Sequence, residues 1–142
     1  MSEDRRYSAS LRICSTTINA ADITKMLATV PTKAHERGTP FSSRAAKSRL
    51  RQESLWLLES GLNPSEPLEA HLEKLAVFIE EKVTQLKNLI SKCNIDIFCG
   101  VFSESGQGGF VIESALLKKI SLLPIDIVFD IYISSPLEED IS

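Results

Sequence analysis

Apolar and polar residues alternate near both ends of the chain and recur with helical spacing in its middle. Tyr7–Cys14 places every second side chain on one apolar side, and Ile125–Ile133 alternates more strictly still. A period of two is typical of a strand with one buried face, so both segments are predicted strands. Between them, apolar residues at steps of three and four predict one face of a long helix: Leu72, Leu75, Ile79, Val83, Leu86 and Ile90.

Shorter signals complete the series of elements. Asn19 has the chemistry of a helix N-cap, and the short helix that it begins ends before Pro31. Ser65 is a second predicted cap, at the start of the long helix. Short apolar runs predict three further strands and one further helix: Ser54–Glu59, Ile95–Phe102, Phe110–Ile112 and Ser114–Ser121.

The resulting order is β-α-β-α-β-β-α-β, which predicts an α+β fold. Strict alternation favours a mostly antiparallel sheet of about five strands with helices packed on one face and a more open second face. In the last strand, the side chains predicted to face the core are Ile125, Ile127, Phe129, Ile131 and Ile133. Residues 1–142 form one predicted domain, with a core over 6–134, a long loop over 31–53 and an acidic tail over 135–142.

Composition narrows the class of protein. The chain has 142 residues, of which 43% are hydrophobic and 25% charged, as in a globular protein with a single core. No apolar run is long enough for a membrane span, and no secretory signal is recognisable, so we expect a cytoplasmic protein. The three cysteines lack C-x-x-C spacing and are expected to be free thiols.

Charge is unevenly distributed along the chain. The net charge is −3, but residues 31–53 hold six Lys/Arg against two Glu, a balance of +4 that leaves −7 for the remainder. This basic loop could contact phosphates, yet its only aromatic residue is Phe41, whereas single-strand binders stack bases on several aromatic rings. The pattern therefore favours a solvated or partner-contacting loop over nucleic-acid binding.

Motifs for catalysis or metal binding are weak. The glycines of Ser105–Gly109 stand between two predicted strands and lack the G-K-[ST] of a phosphate loop, so they predict a hairpin turn. His35 lies in the basic loop and His71 on the predicted polar side of the long helix, and neither has partners at metal-ligand spacing. A small hydrolase or transferase that uses Cys99 or His71 with Asp96 stays open as an alternative, although Cys99 shares a face with apolar neighbours and is better read as a small buried residue.

The predicted open face carries polar and aromatic residues from several strands. It is either a solvated surface, on which an Arg–Asp pair contributes about 0–1 kcal/mol, or a recognition surface. Its members are Ser8, Ser10, Arg12, Asp96, Phe98, Asp126, Asp130 and Tyr132.

Several segments together resemble a bacterial family known as domain of unknown function 4279. They are Tyr7–Ile13, Asp22–Leu27 with the following Val30–Thr32, Glu69–Leu75, Phe98–Phe110 and Ile125–Tyr132. The F-C-G-x-F…Q-G-G-F segment and the closing D-I-Y are the most distinctive. The resemblance implies a small stand-alone α+β domain with no established activity and no catalytic residues to carry over. Small families of this kind often include immunity proteins for antibacterial toxins.

These observations favour a non-enzymatic protein-binding domain, most concretely an immunity protein that neutralises a cognate toxin by occlusion. We expect no catalytic, cofactor or metal site and no membrane partner, and the oligomeric state is left open. Alternatives are a small cytosolic enzyme or ligand-binding protein and, less favoured, a nucleic-acid-binding regulator. The residues predicted to contact the partner are Arg12, Arg44, Arg49, Asp96, Asp126, Asp130 and Tyr132.

Overall fold

The computed structural model describes residues 5–42, 49–106 and 108–134. Arg44 and the acidic tail over 135–142 therefore lie outside the described residues. The described part of the chain forms five strands and four helices, in the order β1 (Arg5–Ser15), α1 (Ala20–Leu27), β2 (Lys33–His35), β3 (Ser54–Glu59), α2 (Leu68–Glu81), α3 (Val83–Leu89), β4 (Asn94–Ser103), α4 (Ser114–Ile120) and β5 (Asp126–Ile133).

The strands form one sheet in the order β2-β3-β1-β4-β5. The predicted α+β class and the five-stranded sheet are confirmed, but the sheet is mixed rather than mostly antiparallel. β4 and β5 are parallel, while the other neighbouring strands are antiparallel. The reason lies in the connection, because α4 carries the chain back along the sheet before β5 begins, and such a crossover joins parallel strands.

The order of elements follows the prediction, with one strand exchanged for another. The predicted returning strand Phe110–Ile112 is not part of the sheet, so the glycine turn is not a hairpin. Gly106 and Gly108 take φ values of 73° and 146°, which favour glycine, and Phe110 then stacks on Phe129 of β5. In exchange, Lys33–His35 of the predicted basic loop pairs with β3 as an edge strand.

All four described helices contribute to one core on one side of the sheet. Trp56 of β3 is fully buried there, stacks on Phe78 of α2 and donates its Nε1–H to Thr24 Oγ1 of α1 at 3.0 Å. The predicted long helix is divided, because Lys82 (φ −113°, ψ 21°) leaves helical geometry between α2 and α3. Its apolar stripe nevertheless lies in or against the core throughout.

Helix N-termini are stabilised differently from the prediction. Asn19 precedes α1 but makes no side-chain cap hydrogen bond. Instead, the carboxylate of Glu36, the residue that follows β2, accepts the N–H groups of Ala20 at 2.7 Å and Ala21 at 2.9 Å. At α2 the residue before the helix is Pro67, not Ser65.

Exposure of β5 also differs from the prediction. The predicted core-facing residues do share one side of the sheet, but only Ile125 and Ile127 are packed against the core. Phe129, Ile131 and Ile133 are exposed, at 38%, 54% and 58%. β5 is an edge strand, and α4, the helix that precedes it, packs mainly against α2 rather than over β5.

Within the described ranges, no helix combines the length and the apolar character that crossing a bilayer requires.

Candidate functional site

The core and the helices lie on one side of the sheet, and we call the opposite side the open face. The pairing registers place alternate residues of β1, β3, β4 and β5 on it, as the alternation predicted. Its residues include Arg6, Ser8, Ser10, Arg12, Cys14, Leu55, Leu57, Glu59, Asn94, Asp96, Phe98, Gly100, Phe102, Asp126, Val128, Asp130 and Tyr132, and Lys33 and His35 of β2.

Arg12 lies at the centre of the open face. Its Nε and Nη2 donate to the two carboxylate oxygens of Asp96 at 2.8 and 2.7 Å, and its guanidinium lies 4.4 Å from the ring centroid of Phe98. The two residues are directly opposite each other on β1 and β4. The hydrogen bond to Asp96 raises the pKa of Arg12 further above its ordinary value. Paired and stacked in this way, the charged groups form a fixed platform rather than two mobile side chains.

A second arginine–aromatic stack lies at the other end of β4. The guanidinium of Arg6 is 5.3 Å from the ring centroid of Phe102, and Tyr132, 60% exposed, is the neighbour of Phe102 on β5. Between the stacks, Gly100 faces Ser8, and a Cβ at Gly100 would lie 2.7 Å from the Ser8 hydroxyl oxygen. The open face is therefore low at Gly100 and raised on both sides by stacked rings.

Two carboxylates lie along the outer edge of the open face. Asp126 is next to Asp96 in the register, and Asp130 is next to Gly100. Neither belongs to an ion pair among the described residues, in which the pairs are Arg12–Asp96 and Lys119–Glu73. This edge is consequently negative.

The described part of the basic loop over residues 31–53 lies at the opposite edge of the sheet. Arg51 donates from Nη1 to the Pro40 carbonyl at 2.6 Å, and its guanidinium lies 5.3 Å from the ring centroid of Phe41. Arg49 lies 5.9 Å from the same centroid. Phe41 and Arg51 form the wall of a concavity whose floor includes Leu55 and Leu57. Arg51 thus places positive charge beside the open face.

Cys14 and His35, which both line that concavity, do not form a nucleophile–base pair. Burial lowers the pKa of His35, and nearby Arg51 and Lys33 lower it further. Burial, helped by Glu53, raises the pKa of the Cys14 thiol. Cys14 and His35 each pair with Leu55 from opposite sides, which separates them by about 10 Å, too far for a hydrogen bond.

The residues of the predicted enzymatic alternative do not come together. Asp96 lies on the open face, whereas Cys99 is fully buried on the helix side, where burial raises its pKa to about 12. His71 is buried in α2, bonded through Nδ1 to the Ser60 hydroxyl at 2.6 Å, and burial lowers its pKa. The prediction that His71 lies on the polar side of its helix is wrong. Over the described ranges, no three His, Cys, Asp or Glu side chains are placed to hold a metal ion.

Five of the seven predicted contact residues share the open face: Arg12, Asp96, Asp126, Asp130 and Tyr132. Arg49 lies beside Phe41 in the basic loop, and Arg44 is outside the described residues. The sequence reasoning missed Arg6 and Phe102, although both have the even numbering of Arg12 and Phe98 on the same strands. It also missed the packing of Phe41 with Arg51, for which the sequence contains no periodic signal.

Comparison with known proteins gives a single finding. The model of the family described as domain of unknown function (DUF4279) matches residues 5–134, nearly the whole chain. No curated protein and no solved structure matches the chain.

Proposed function

Because this chain belongs to the DUF4279 family, whose description assigns no function, we propose its role from the site: a non-enzymatic domain that binds another protein on its open face. The observation that carries the proposal is an uncovered sheet face with two arginine–aromatic stacks, Arg12 on Phe98 and Arg6 on Phe102. Arginine and aromatic residues are enriched where protein interfaces concentrate their binding energy.

The size of the open face suits a protein partner. The five strands range from three to eleven residues and average about eight, which gives an area of about 600 Å² for the sheet face. A standard interface buries about 800 Å² on each partner. The open face with one of its borders would supply that area.

Preorganisation and charge also support protein binding. Arg12 and Asp96 already satisfy each other, so little side-chain entropy would be lost on association. The negative edge at Asp126 and Asp130 and the positive edge at Arg51 would orient a partner with the opposite charge distribution and raise its association rate.

In its most specific form, the proposal is that the partner is an antibacterial toxin. A preformed, nearly flat face can block a toxin by steric occlusion and needs no chemistry of its own. The encounter would take place in the cytoplasm, where Cys14, Cys93 and Cys99, free in the structure, would stay reduced.

The test begins with an affinity-tagged chain expressed in its native cells, followed by identification of stoichiometric co-purifying proteins. Binding of the purified partner is then measured with three variants. Tyr132→Ala should weaken binding by about 1–2 kcal/mol through faster dissociation. Asp126→Asn/Asp130→Asn should lower the association rate, more at low salt than at high salt. The control, Glu80→Gln/Glu81→Gln, removes two charges from exposed positions on α2.

Partner binding that Tyr132→Ala and Asp126→Asn/Asp130→Asn both leave unchanged would refute the role of the open face. If the control weakens binding as much as Asp126→Asn/Asp130→Asn does, the effect is one of net charge alone. For the toxin form of the proposal, cells that express the chain should survive the co-purified partner, and cells that express Tyr132→Ala should survive less well.

A further inference from the structure

The outer edge of β5 presents unpaired main-chain groups. The N–H of Ser134 donates to the carbonyl of Ser103 at 3.1 Å, in continuation of the β4–β5 ladder. Along a strand in a parallel pair, successive residues direct their N–H and C=O groups alternately to the two sides. The main-chain N–H and C=O groups of even-numbered residues of β5 therefore bond to β4. Those of the odd-numbered residues, from Ile127 to Ile133, point away from the sheet at its edge. No backbone partner meets them within the described part of the chain.

Apart from the carboxylates of Asp126 and Asp130, the edge lacks the usual protection against pairing. β5 pairs with β4 over all eight residues without a bulge, and its sequence contains no lysine, arginine or proline. Natural edge strands are commonly blocked by lysine, proline, bulges or covering segments. Ile131, Tyr132 and Ile133, each more than half exposed, add apolar surface to both sides of the sheet at the end of this edge.

A small apolar pocket adjoins this edge on the helix side. Tyr7, Val101, Phe110, Ile131 and Ile133 line it, and its volume is about 130 Å³. Cavities of about 150 Å³ hold a benzene molecule, so this pocket is suited to one large apolar side chain.

The open-face side of the same edge has a different chemistry. Asp126 and Asp130 project there, and neither has a basic partner among the described residues. A strand added to β5 would place alternate side chains against the apolar pocket and against these carboxylates.

We propose that the edge of β5 accepts an extended segment of the protein partner by strand addition, and that this segment alternates apolar and basic residues. The inference rests on the proposed function in taking the partner to be a protein. Main-chain hydrogen bonds to Ile127, Phe129, Ile131 and Ile133 would supply affinity. The pocket and the two carboxylates would select the sequence.

A second copy of this chain is a poorer occupant of the edge. Two-fold pairing of β5 centred on Val128 would set Asp126 opposite Asp130, and pairing centred on Asp130 would set that carboxylate opposite its own copy. In every other register, Asp126 and Asp130 would face no positively charged side chain of the second copy, because β5 contains no lysine or arginine. A segment with basic residues at alternate positions meets this requirement.

The probe for the test is a soluble peptide of about nine residues in which lysine and isoleucine alternate. Its control has the same composition with the lysines and isoleucines in blocks. Amide NMR spectra of the full chain follow the titration. The alternating peptide should shift the amides of Ile127, Phe129, Ile131 and Ile133 and slow their hydrogen exchange, and the block peptide should not.

Two substitutions at one position separate main-chain from side-chain effects. Ile131→Pro removes an outward N–H and leaves the β4 ladder intact, as proline is tolerated on edge strands. Ile131→Ala removes the same apolar side chain but keeps the N–H. We expect Ile131→Pro to weaken peptide binding about tenfold more than Ile131→Ala does, while the amide spectra show both variants folded. Asp126→Asn/Asp130→Asn should weaken binding at least about threefold, and less so at high salt.

Equal binding by Ile131→Pro and Ile131→Ala, or peptide binding without protection of the outward amides, would overturn strand addition. A chain that dimerises until Ile131→Pro is introduced would also overturn it, in favour of self-pairing. A native partner that loses affinity for Tyr132→Ala but not for Ile131→Pro would refute this inference and leave the proposed function intact. Peptide binding with the expected protection, in a chain for which no protein partner is found, would count against the proposed function alone.

Discussion

Removal of the Glu36 carboxylate should destabilise the protein more than the exposure of Glu36 suggests. Glu36 is only half-buried, yet its carboxylate joins three elements. It accepts the N–H groups of Ala20 and Ala21 at the start of α1 and the hydroxyl of Ser54, at 3.0 Å, at the start of β3. The perturbation is Glu36→Ala, with Glu36→Gln as the milder variant.

The magnitude follows from these three hydrogen bonds. Loss of a side-chain cap lowers the free energy of unfolding by about 0.5–2 kcal/mol. The Glu36 carboxylate also interacts favourably with the positive end of the α1 dipole. Ser54 is buried, and its hydroxyl would lose the acceptor of its proton. We therefore expect Glu36→Ala to lower the free energy of unfolding by about 2 kcal/mol and Glu36→Gln, which keeps one oxygen acceptor, by about 1 kcal/mol.

Urea denaturation at neutral pH measures the effect. With a slope of about 2 kcal/mol per molar urea, the midpoint of Glu36→Ala should fall by about 1 M at an unchanged slope. Glu53→Gln, an exposed carboxylate in the same segment, is the control and should shift the midpoint little.

The pH dependence checks that the charged form of Glu36 is responsible. Burial raises the pKa of Glu36, but the N–H groups of Ala20 and Ala21 outweigh it, so the pKa lies below its ordinary value of 4.5. A carboxyl with a depressed folded-state pKa contributes stability above the unfolded pKa and loses it as the pH falls through the folded one. The difference between wild type and Glu36→Gln should therefore be constant above about pH 5 and shrink below about 4.5. A Glu36→Ala midpoint equal to that of Glu53→Gln would refute the reasoning.

Three further predictions concern the open face, the thiols and the buried histidine. A double-mutant cycle with Arg12→Ala and Asp96→Ala, measured by urea denaturation, should give a coupling free energy of about 0.5–1 kcal/mol, because the pair is about one-third exposed. A coupling free energy of zero would contradict the fixed platform formed by Arg12 and Asp96. Iodoacetamide should label Cys14 first and slowly, because burial raises its pKa, and label Cys99 only in denaturant; mass spectrometry would reveal early Cys99 labelling. Burial lowers the pKa of His71, so stability should fall below about pH 6.5, and His71→Gln should remove that slope from the unfolding free energy.

Much of the open face could be predicted from alternation alone. A strand with one buried side assigns every second residue to each face, so Arg12, Asp96 and Asp130 had to share a face once their strands lay in one sheet. The same rule separated Asp96 from Cys99, which stand three positions apart.

Exposure within a face could not be predicted in this way. Ile127 and Ile133 occupy equivalent positions in the alternation of β5, yet only Ile127 is packed against the core. The difference depends on how far the helix layer reaches over the sheet, and no periodicity in β5 encodes the length and position of α4.

Local patterns in this chain specify which residues form strands and helices and which side of each element is apolar, because both follow from backbone geometry over a few residues. Long-range packing settles the remainder. The parallel position of β5 at the edge depends on the crossover through α4. The α1 N-terminus takes its acceptor from Glu36, sixteen residues from Ala20, because helix amides are satisfied by whichever oxygen the fold brings close. Both are contacts between segments that are distant in the sequence, and short-range periodicity does not predict such contacts.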